Sequence, residues 1–130
     1  MELLCKDESL TGTLLHEFAV PVRGDTMTVK DIITARVAAE VEDYNRRLPT
    51  IFRGLVRPSQ AERVLNGYRL PQNSRPIDAE KQTYIALEAF RTRAFLLLID
   101  DRQADALDEE VPLRETTSIS FIRLTPLIGG

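Results

Sequence analysis

The sequence predicts an α+β fold, in which a mixed sheet has one long helix packed across it and a helical insertion separates that helix from the third strand. Strand-like segments occur near both ends of the chain, and the strongest helical pattern follows the first two. Residues 1–45 carry four basic and nine acidic side chains. Residues 46–93 carry ten basic and four acidic side chains, and residues 94–130 carry three basic and seven acidic ones. The basic middle therefore differs from two acidic flanks, as expected of an insertion.

Residues 1–7 and 14–22 are predicted to form the two strands of a hairpin. A turn signal that contains Gly12 separates them, and Pro21 and Gly24 close the second strand. Neither segment alternates perfectly between polar and apolar side chains. The prediction therefore depends on their length and on the bounding turns.

The first helix is predicted to begin at Thr28 and to end near Arg47. Thr28 and Asp31 have the spacing of a capping box, in which the Thr hydroxyl accepts from an exposed amide at the start of the helix. Pro49 terminates the segment. One apolar stripe runs along it at intervals of three and four residues, through Ile33, Val37, Val41 and Tyr44.

Residues 48–93 form the predicted helical insertion, which prolines and glycines interrupt repeatedly. Residues 59–62 resemble a second capping box, and Gly67 is placed where a short helix would end. A longer helix is predicted from Asp78 to about Arg91. Its apolar faces contain Tyr84, Leu87 and Phe90.

Two further strands are predicted after the insertion. Residues 95–99 are continuously apolar, which indicates a central strand or one covered on both faces. The last strand begins at Ser118. Its alternation directs Ile119 and Phe121 toward the core, and Ile122 and Leu124 toward the other face.

The sequence then breaks at Pro126 and ends with Gly129 and Gly130. Glycine lacks Cβ, so two glycines can pass through a space where other residues would clash. Residues 125–130 reach roughly 20 Å when extended. We predict that they form a flexible tail that is presented to another protein.

Composition excludes several other classes of protein. No apolar run approaches the roughly 18–20 residues of a membrane helix, and the start of the chain lacks the pattern of a secretion signal. One cysteine allows no internal disulfide and fits a reducing cytoplasm. Cys5 is interpreted as a small core residue and His16 as a structural or surface residue, and no metal or cofactor is expected. The length predicts a single domain over residues 1–130.

The chain resembles the ubiquitin-like β-grasp family in its order of hairpin, helix, strands and final Gly-Gly. An acidic loop at residues 108–113, followed by Arg114-Glu-Thr-Thr and the last strand, is similar to a segment of ubiquitin. The ending Thr125-Pro-Leu-Ile-Gly-Gly resembles the sulfur carriers of molybdopterin and thiamin synthesis. The enlarged form is similar to the modifiers of bacterial ubiquitination-like operons. The resemblance covers residues 1–47 and 94–130, and the insertion matches neither family.

This resemblance implies a protein modifier and not an enzyme. An activating enzyme would adenylate the Gly130 carboxylate with ATP, and a conjugating enzyme would pass it as a thioester to amines of target proteins. A peptidase would process or remove it. Ubiquitin has arginines before its glycines where this chain has Pro126 and Ile128, so recognition of Pro126, Leu127 and Ile128 should be mainly apolar.

Several alternatives remain open from the sequence. The protein could be a sulfur carrier that ends in a thiocarboxylate, or a β-grasp interaction module that is not conjugated. Ile122 and Leu124 are candidates for a partner-binding patch, unless the inserted helices cover that face. The arginines of residues 46–75 could contact nucleic acid, but the acidic net charge and nearby acids argue against it.

Overall fold

The computed structural model describes residues 1–65, 67–71 and 76–124. Within these residues the protein is a small α+β structure with a mixed five-stranded sheet and two helices, an arrangement compatible with a β-grasp. The elements in chain order are β1 (Glu2–Ser9), β2 (Leu14–Pro21), β3 (Thr26–Thr28), α1 (Val29–Arg47), β4 (Glu62–Val64), β5 (Gly67–Arg69), α2 (Ala79–Arg91), β6 (Phe95–Ile99), β7 (Arg102–Gln103), β8 (Glu110–Pro112) and β9 (Ile119–Arg123).

The five-stranded sheet has the order β2-β1-β9-β6-β7. The predicted hairpin of β1 and β2 is antiparallel, while β9 lies parallel to β1 in the centre of the sheet and antiparallel to β6. Cys5 pairs with Phe18 on one side and Ile119 on the other. Because side chains alternate along a strand, this row and its neighbours form the face that the helices cover. Two short ladders, β3–β8 and β4–β5, complete the described strands.

Helix α1 has the predicted start and end. The Asp31 amide donates to the Thr28 hydroxyl at 3.1 Å, and the Thr28 amide donates to the Asp31 carboxylate at 3.4 Å, which is the predicted capping box. Leu48 ends the helix in the left-handed region, with φ 46°. The predicted apolar stripe is buried against the sheet as Ile33, Val37, Val41 and Tyr44. Arg36, which was not expected there, is buried among them.

Helix α2 begins where it was predicted, because the Asp78 carboxylate accepts from the amides of Glu80 and Lys81. It lies beside α1 and buries Gln82, Ala86 and Phe90. The expectation for Tyr84 was wrong, since its side chain is 67% exposed. The Asn45 side chain of α1 fixes the approach to α2, through hydrogen bonds of 2.8 and 2.9 Å to the amide and carbonyl of Ile77.

The short helix predicted between residues 59 and 67 is wrong, because this region contains the β4–β5 hairpin. Phe52 and Tyr68 exchange two backbone hydrogen bonds of 2.8 and 2.9 Å, which hold the segment extended. A Cβ on Gly67 would lie 2.7 Å from the Phe52 carbonyl oxygen, so glycine allows this close approach instead of ending a helix. Tertiary pairing therefore overrides the local capping signal.

Strand β6 has the predicted bounds but only one fully covered face. Phe95, Leu97 and Ile99 are buried, whereas Leu96 and Leu98 are partly exposed. Of the two alternatives, a central strand is confirmed, since β6 lies between β9 and the two-residue β7, and coverage of both faces is not. No helix in the described part of the chain is long and apolar enough to cross a membrane.

Candidate functional site

The predicted conjugation residues Gly129 and Gly130, and the predicted recognition residues Pro126, Leu127 and Ile128, lie outside the described residues. The described part of the candidate site is therefore the point where the chain leaves the sheet. Strand β9 runs from a position beside Cys5 to one where Arg123 pairs with Ser9. The chain thus leaves the centre of the sheet at the end that carries the β1–β2 turn.

The face of the sheet opposite the helices carries a line of apolar side chains. Leu96 and Ile122 pair across β6 and β9, and Leu98 lies on the same face. Ile122 is 8% exposed yet separate from the main core, and Leu124, directly after β9, is partly exposed. Together with Leu4, which is 48% exposed, these side chains define the outer apolar face.

Helix α2 does not cover this outer apolar face. Phe90 of α2 lies 6.1 Å from the Phe95 ring, which in turn lies 6.0 Å from the Phe121 ring. Phe95 and Phe121 belong to the face that α1 covers, so α2 lies on that same side. Ile122 and Leu124 therefore occupy the opposite side of the sheet from α2.

A buried ionic cluster lies beside the end of β9. The Arg36 side chain is 1% exposed and donates to both carboxylate oxygens of Asp7, at 2.5 and 2.7 Å. Its Nε donates to Glu40 at 2.9 Å. Phe18 and Phe121 lie on the guanidinium, each ring centroid 4.4 Å from Cζ. Two carboxylates and two aromatic faces therefore compensate one buried cation.

This environment changes the acid–base properties of the cluster. Burial by itself lowers the pKa of Arg36, but the carboxylates of Glu40 and Asp7 outweigh it and the pKa is raised. Burial also raises the pKa of Glu40, an effect that the charge of Arg36 opposes. The guanidinium therefore stays charged within the fold, and Arg36 serves as the cationic centre of the cluster.

The segment between α1 and β4 contacts this cluster through Gly54 and Leu55. The Leu55 amide donates to the Glu40 carboxylate at 2.9 Å. Arg123, the last residue of β9, donates to the carbonyls of Gly54 and Leu55 at 2.7 and 3.3 Å. Its guanidinium also lies 3.6 Å from Asp7. The end of β9 is thus joined by hydrogen bonds to the segment between α1 and β4.

Sequence reasoning missed this cluster of Asp7, Arg36, Glu40 and Arg123, although two signals point to part of it. Arg36 and Glu40 are four residues apart on the buried side of α1, where a charged pair is unusual. Asp7 continues the alternation of the buried residues Leu3 and Cys5. Both patterns place charges on core-facing positions, and such charges need partners.

Part of the basic middle of the chain is already neutralised. Arg46 and Arg47 both pair with Asp43 at 2.8 Å. Arg69 pairs with Glu62, and Arg91 pairs with Glu88 at 2.8 Å. Arg53 and Arg57 are exposed without an ion pair among the described residues. Arg63 and Arg93 also have no ion pair among the described residues, so these pairs neutralise only part of the arginines that could contact phosphates.

Cys5 and His16 occupy ordinary structural positions. Cys5 is fully buried, its thiol donates to the Leu3 carbonyl at 3.7 Å, and burial raises the thiol pKa to about 12. The His16 ring stacks on Phe18 with 5.4 Å between centroids. Within residues 1–65, 67–71 and 76–124, no three His, Cys, Asp or Glu side chains are grouped to hold a metal ion.

No family model matches the chain, and searches of curated proteins and of solved structures gave no match.

Proposed function

We propose that the protein is a ubiquitin-like modifier of the β-grasp type with a helical insertion at residues 48–93. The Gly130 carboxylate would be adenylated by an activating enzyme, passed as a thioester and joined to amines of target proteins. One observation carries the proposal. The last described strand lies in the centre of the sheet, parallel to β1, and Gly129-Gly130 follow it in the sequence, separated by five residues from its end at Arg123.

The sheet order supports a β-grasp. The β1–β2 hairpin, helix α1, strand β6 and central β9 follow one another as this fold requires, with α1 on one face. The additional segments β4, β5 and α2 all lie between α1 and β6, which is where the insertion was predicted. A modifier of this type would use the sheet as a rigid body and the following residues as its reactive end.

The chemistry requires an external energy source. A carboxylate is a poor electrophile, so one of its oxygens attacks the α-phosphorus of ATP and pyrophosphate leaves. A partner thiolate then attacks the acyl carbon and AMP leaves, and a target amine displaces the thiol to form an amide. The partner enzymes supply the nucleophile and the stabilisation of charge. This chain supplies the acyl group and the surface by which it is held.

Two parts of the chain would be recognised by partners. Pro126, Leu127 and Ile128 would fill an apolar channel that leads to the nucleophile, while the glycines leave room around the carbonyl. Leu124 would contribute to a patch on the outer apolar face, to which Ile122, only 8% exposed, would add little accessible surface. The absence of α2 from that face favours its use by an activating enzyme or a peptidase.

The proposal is tested with the full chain carrying an N-terminal affinity tag, expressed in its source cells and purified under denaturing conditions. Trypsin cleaves after Arg123, so a conjugated lysine should keep the remnant of residues 124–130, Leu-Thr-Pro-Leu-Ile-Gly-Gly. A variant lacking Gly130 is the control and should give no such remnant. Equal adducts from both proteins would reject conjugation through Gly130.

The same mass spectra separate the alternatives. Sulfur in place of oxygen at the Gly130 carboxylate, without lysine adducts, would identify a sulfur carrier, as the resemblance of residues 125–130 to that family suggests. An unmodified end in the presence of ATP would leave a non-conjugated interaction module. The mass of the C-terminal peptide also checks that Gly130 is the terminal residue of the mature protein, which both chemistries require.

A further inference from the structure

The insertion and the end of β9 belong to one closed set of polar contacts. Asp7 binds Arg36, Arg36 binds Glu40, Glu40 accepts from the Leu55 amide, and Arg123 binds the carbonyls of Gly54 and Leu55. Arg123 closes the circuit, because its guanidinium lies 3.6 Å from Asp7. We call this set the polar ring, and it joins β1, α1, the insertion and β9.

We propose that Arg123 is a positioning residue, through which residues 54 and 55 of the insertion fix the place where the chain leaves the sheet. The functional meaning of this inference rests on the proposed function. The structural coupling between the two segments can be tested without it. Arg123 does not touch the reacting carboxylate, and it acts on the tail only through the backbone of β9.

The chemistry of arginine suits this role. Its planar guanidinium can donate to two carbonyls and approach a carboxylate at the same time, whereas an ammonium group acts as a single point charge. The Arg123 side chain is 15% exposed, so these contacts replace much of its hydration. Without the two carbonyls, its charge would lie in a largely buried site beside Asp7 alone. Release of residues 54 and 55 should therefore loosen the end of β9.

The insertion is shaped for close approach to the polar ring. A Cβ on Gly54 would lie 2.1 Å from the Phe52 ring and 2.8 Å from the Glu40 carboxylate. Gly54 therefore lets the backbone lie directly against Glu40 and present its carbonyl to Arg123. A side chain at this position requires the loop to move, which should stretch both hydrogen bonds of Arg123.

Coupling of this kind matters for a tail that a partner must grasp. From Leu124 onward the chain would need to enter the partner at a set distance from the outer apolar face. A fixed origin reduces the conformational freedom that is lost when the tail is positioned for reaction. The insertion would thereby influence activation without contacting the tail glycines.

Amide hydrogen exchange of the full chain, read by NMR for R123Q, R123K and G54A, tests the coupling. R123Q should speed exchange at the Leu55 amide at least about tenfold, although Arg123 does not bind that amide. G54A should do the same for the Ile122 and Arg123 amides. Rates are compared with those of Ile33 and Val37 in α1, which report changes in overall stability.

Two further variants sharpen the test. R123K can still donate to one carbonyl, so its effect should be smaller, about threefold. R102Q removes an exposed ion pair with Glu109 at the β7 edge of the sheet. It should leave the exchange rates of the Leu55, Ile122 and Arg123 amides unchanged. Effects confined to the mutated segment, or equal effects at Ile33 and Val37, would overturn the inference.

An activation assay then separates this inference from the proposed function. If the wild-type chain forms an ATP-dependent adenylate, the activating enzyme should adenylate R123Q with a kcat at least about twofold lower and with little change in KM. R123K should restore part of the loss. Unchanged kcat in R123Q would reject the positioning role. A wild-type chain that is never activated would reject the proposed function but leave the exchange result valid.

Discussion

Arg36 and Asp7 form a doubly hydrogen-bonded ion pair inside the protein, with N–O distances of 2.5 and 2.7 Å and both side chains at most 4% exposed. The pair joins helix α1 to β1, next to Phe121 of the central strand β9. Because Phe18 and Phe121 enclose the guanidinium, the charges depend on each other and not on water. Breaking such a pair from one side should leave an uncompensated buried charge.

R36M should therefore lower the free energy of unfolding by about 3–5 kcal/mol, measured by urea denaturation at neutral pH, because Asp7 and Glu40 lose their shared cation. R46Q is the matched control, since it removes an exposed pair with Asp43 and should cost less than about 1 kcal/mol. A loss below about 1 kcal/mol in R36M would mean that the cluster contributes little to stability.

Cys5 should be inert in the folded protein. Burial raises the pKa of its thiol to about 12, so at pH 8 only about one thiol in ten thousand is ionised, and the side chain is also inaccessible. A disulfide exchange reagent should label native protein at least about a thousandfold more slowly than protein in urea. Rapid labelling of the native chain would contradict the buried position of β1.

The Arg102–Glu109 pair should respond to pH in a defined direction. The hydrogen bond from Arg102 lowers the pKa of Glu109, so the pair stabilises the fold above the usual carboxyl pKa and loses that effect as pH falls through the lowered value. R102Q should raise the Glu109 pKa toward 4.5, as followed by NMR titration of the carboxyl carbon. R91Q, which removes a different exposed pair, should not move it.

Alanine at either final glycine should impair activation if the proposed function holds. A methyl group on Gly129 or Gly130 would crowd the approach of the partner nucleophile to the carbonyl. We expect adenylate and thioester formation to fall at least about tenfold in G129A and G130A. T125A alters the same tail without touching the glycines and should stay within about twofold of wild type. Wild-type rates in both glycine variants would contradict a confined channel around the carbonyl.

Local signals explain which parts of the fold the sequence predicts well. Helix α1 begins at Thr28 and α2 at Asp78 as expected, since a capping side chain and its amides are close in sequence. A short helix was predicted in place of the β4–β5 hairpin, because the hairpin is held by Phe52, which lies ten residues before it begins. Tyr84 was misplaced for a related reason, as α2 presents its small residue Ala86 to the core.

In the candidate site too, local patterns predict some features and contacts between distant segments determine the others. The alternation in β9 correctly predicts that Ile119 and Phe121 are buried in the core and that Ile122 lies on the opposite face. The polar ring was not predicted, because the parallel pairing of β1 and β9 brings Arg123 close to Asp7, while the packing of α1 against β1 brings Arg36 to Asp7. No pattern within a single segment contains that relationship.

The central position of β9 also has a consequence for synthesis of the protein. Strands β1 and β6 each have two neighbours in the sheet, and β9 is one of them for both. Strand β9 is translated more than one hundred residues after β1 begins. A growing chain therefore carries two unpaired strand edges and an incomplete core until residue 123 has left the ribosome. During that interval Cys5 and Leu97 lack the β9 residues that they pair with, Ile119 and Phe121. The nascent chain is therefore vulnerable to aggregation and proteolysis.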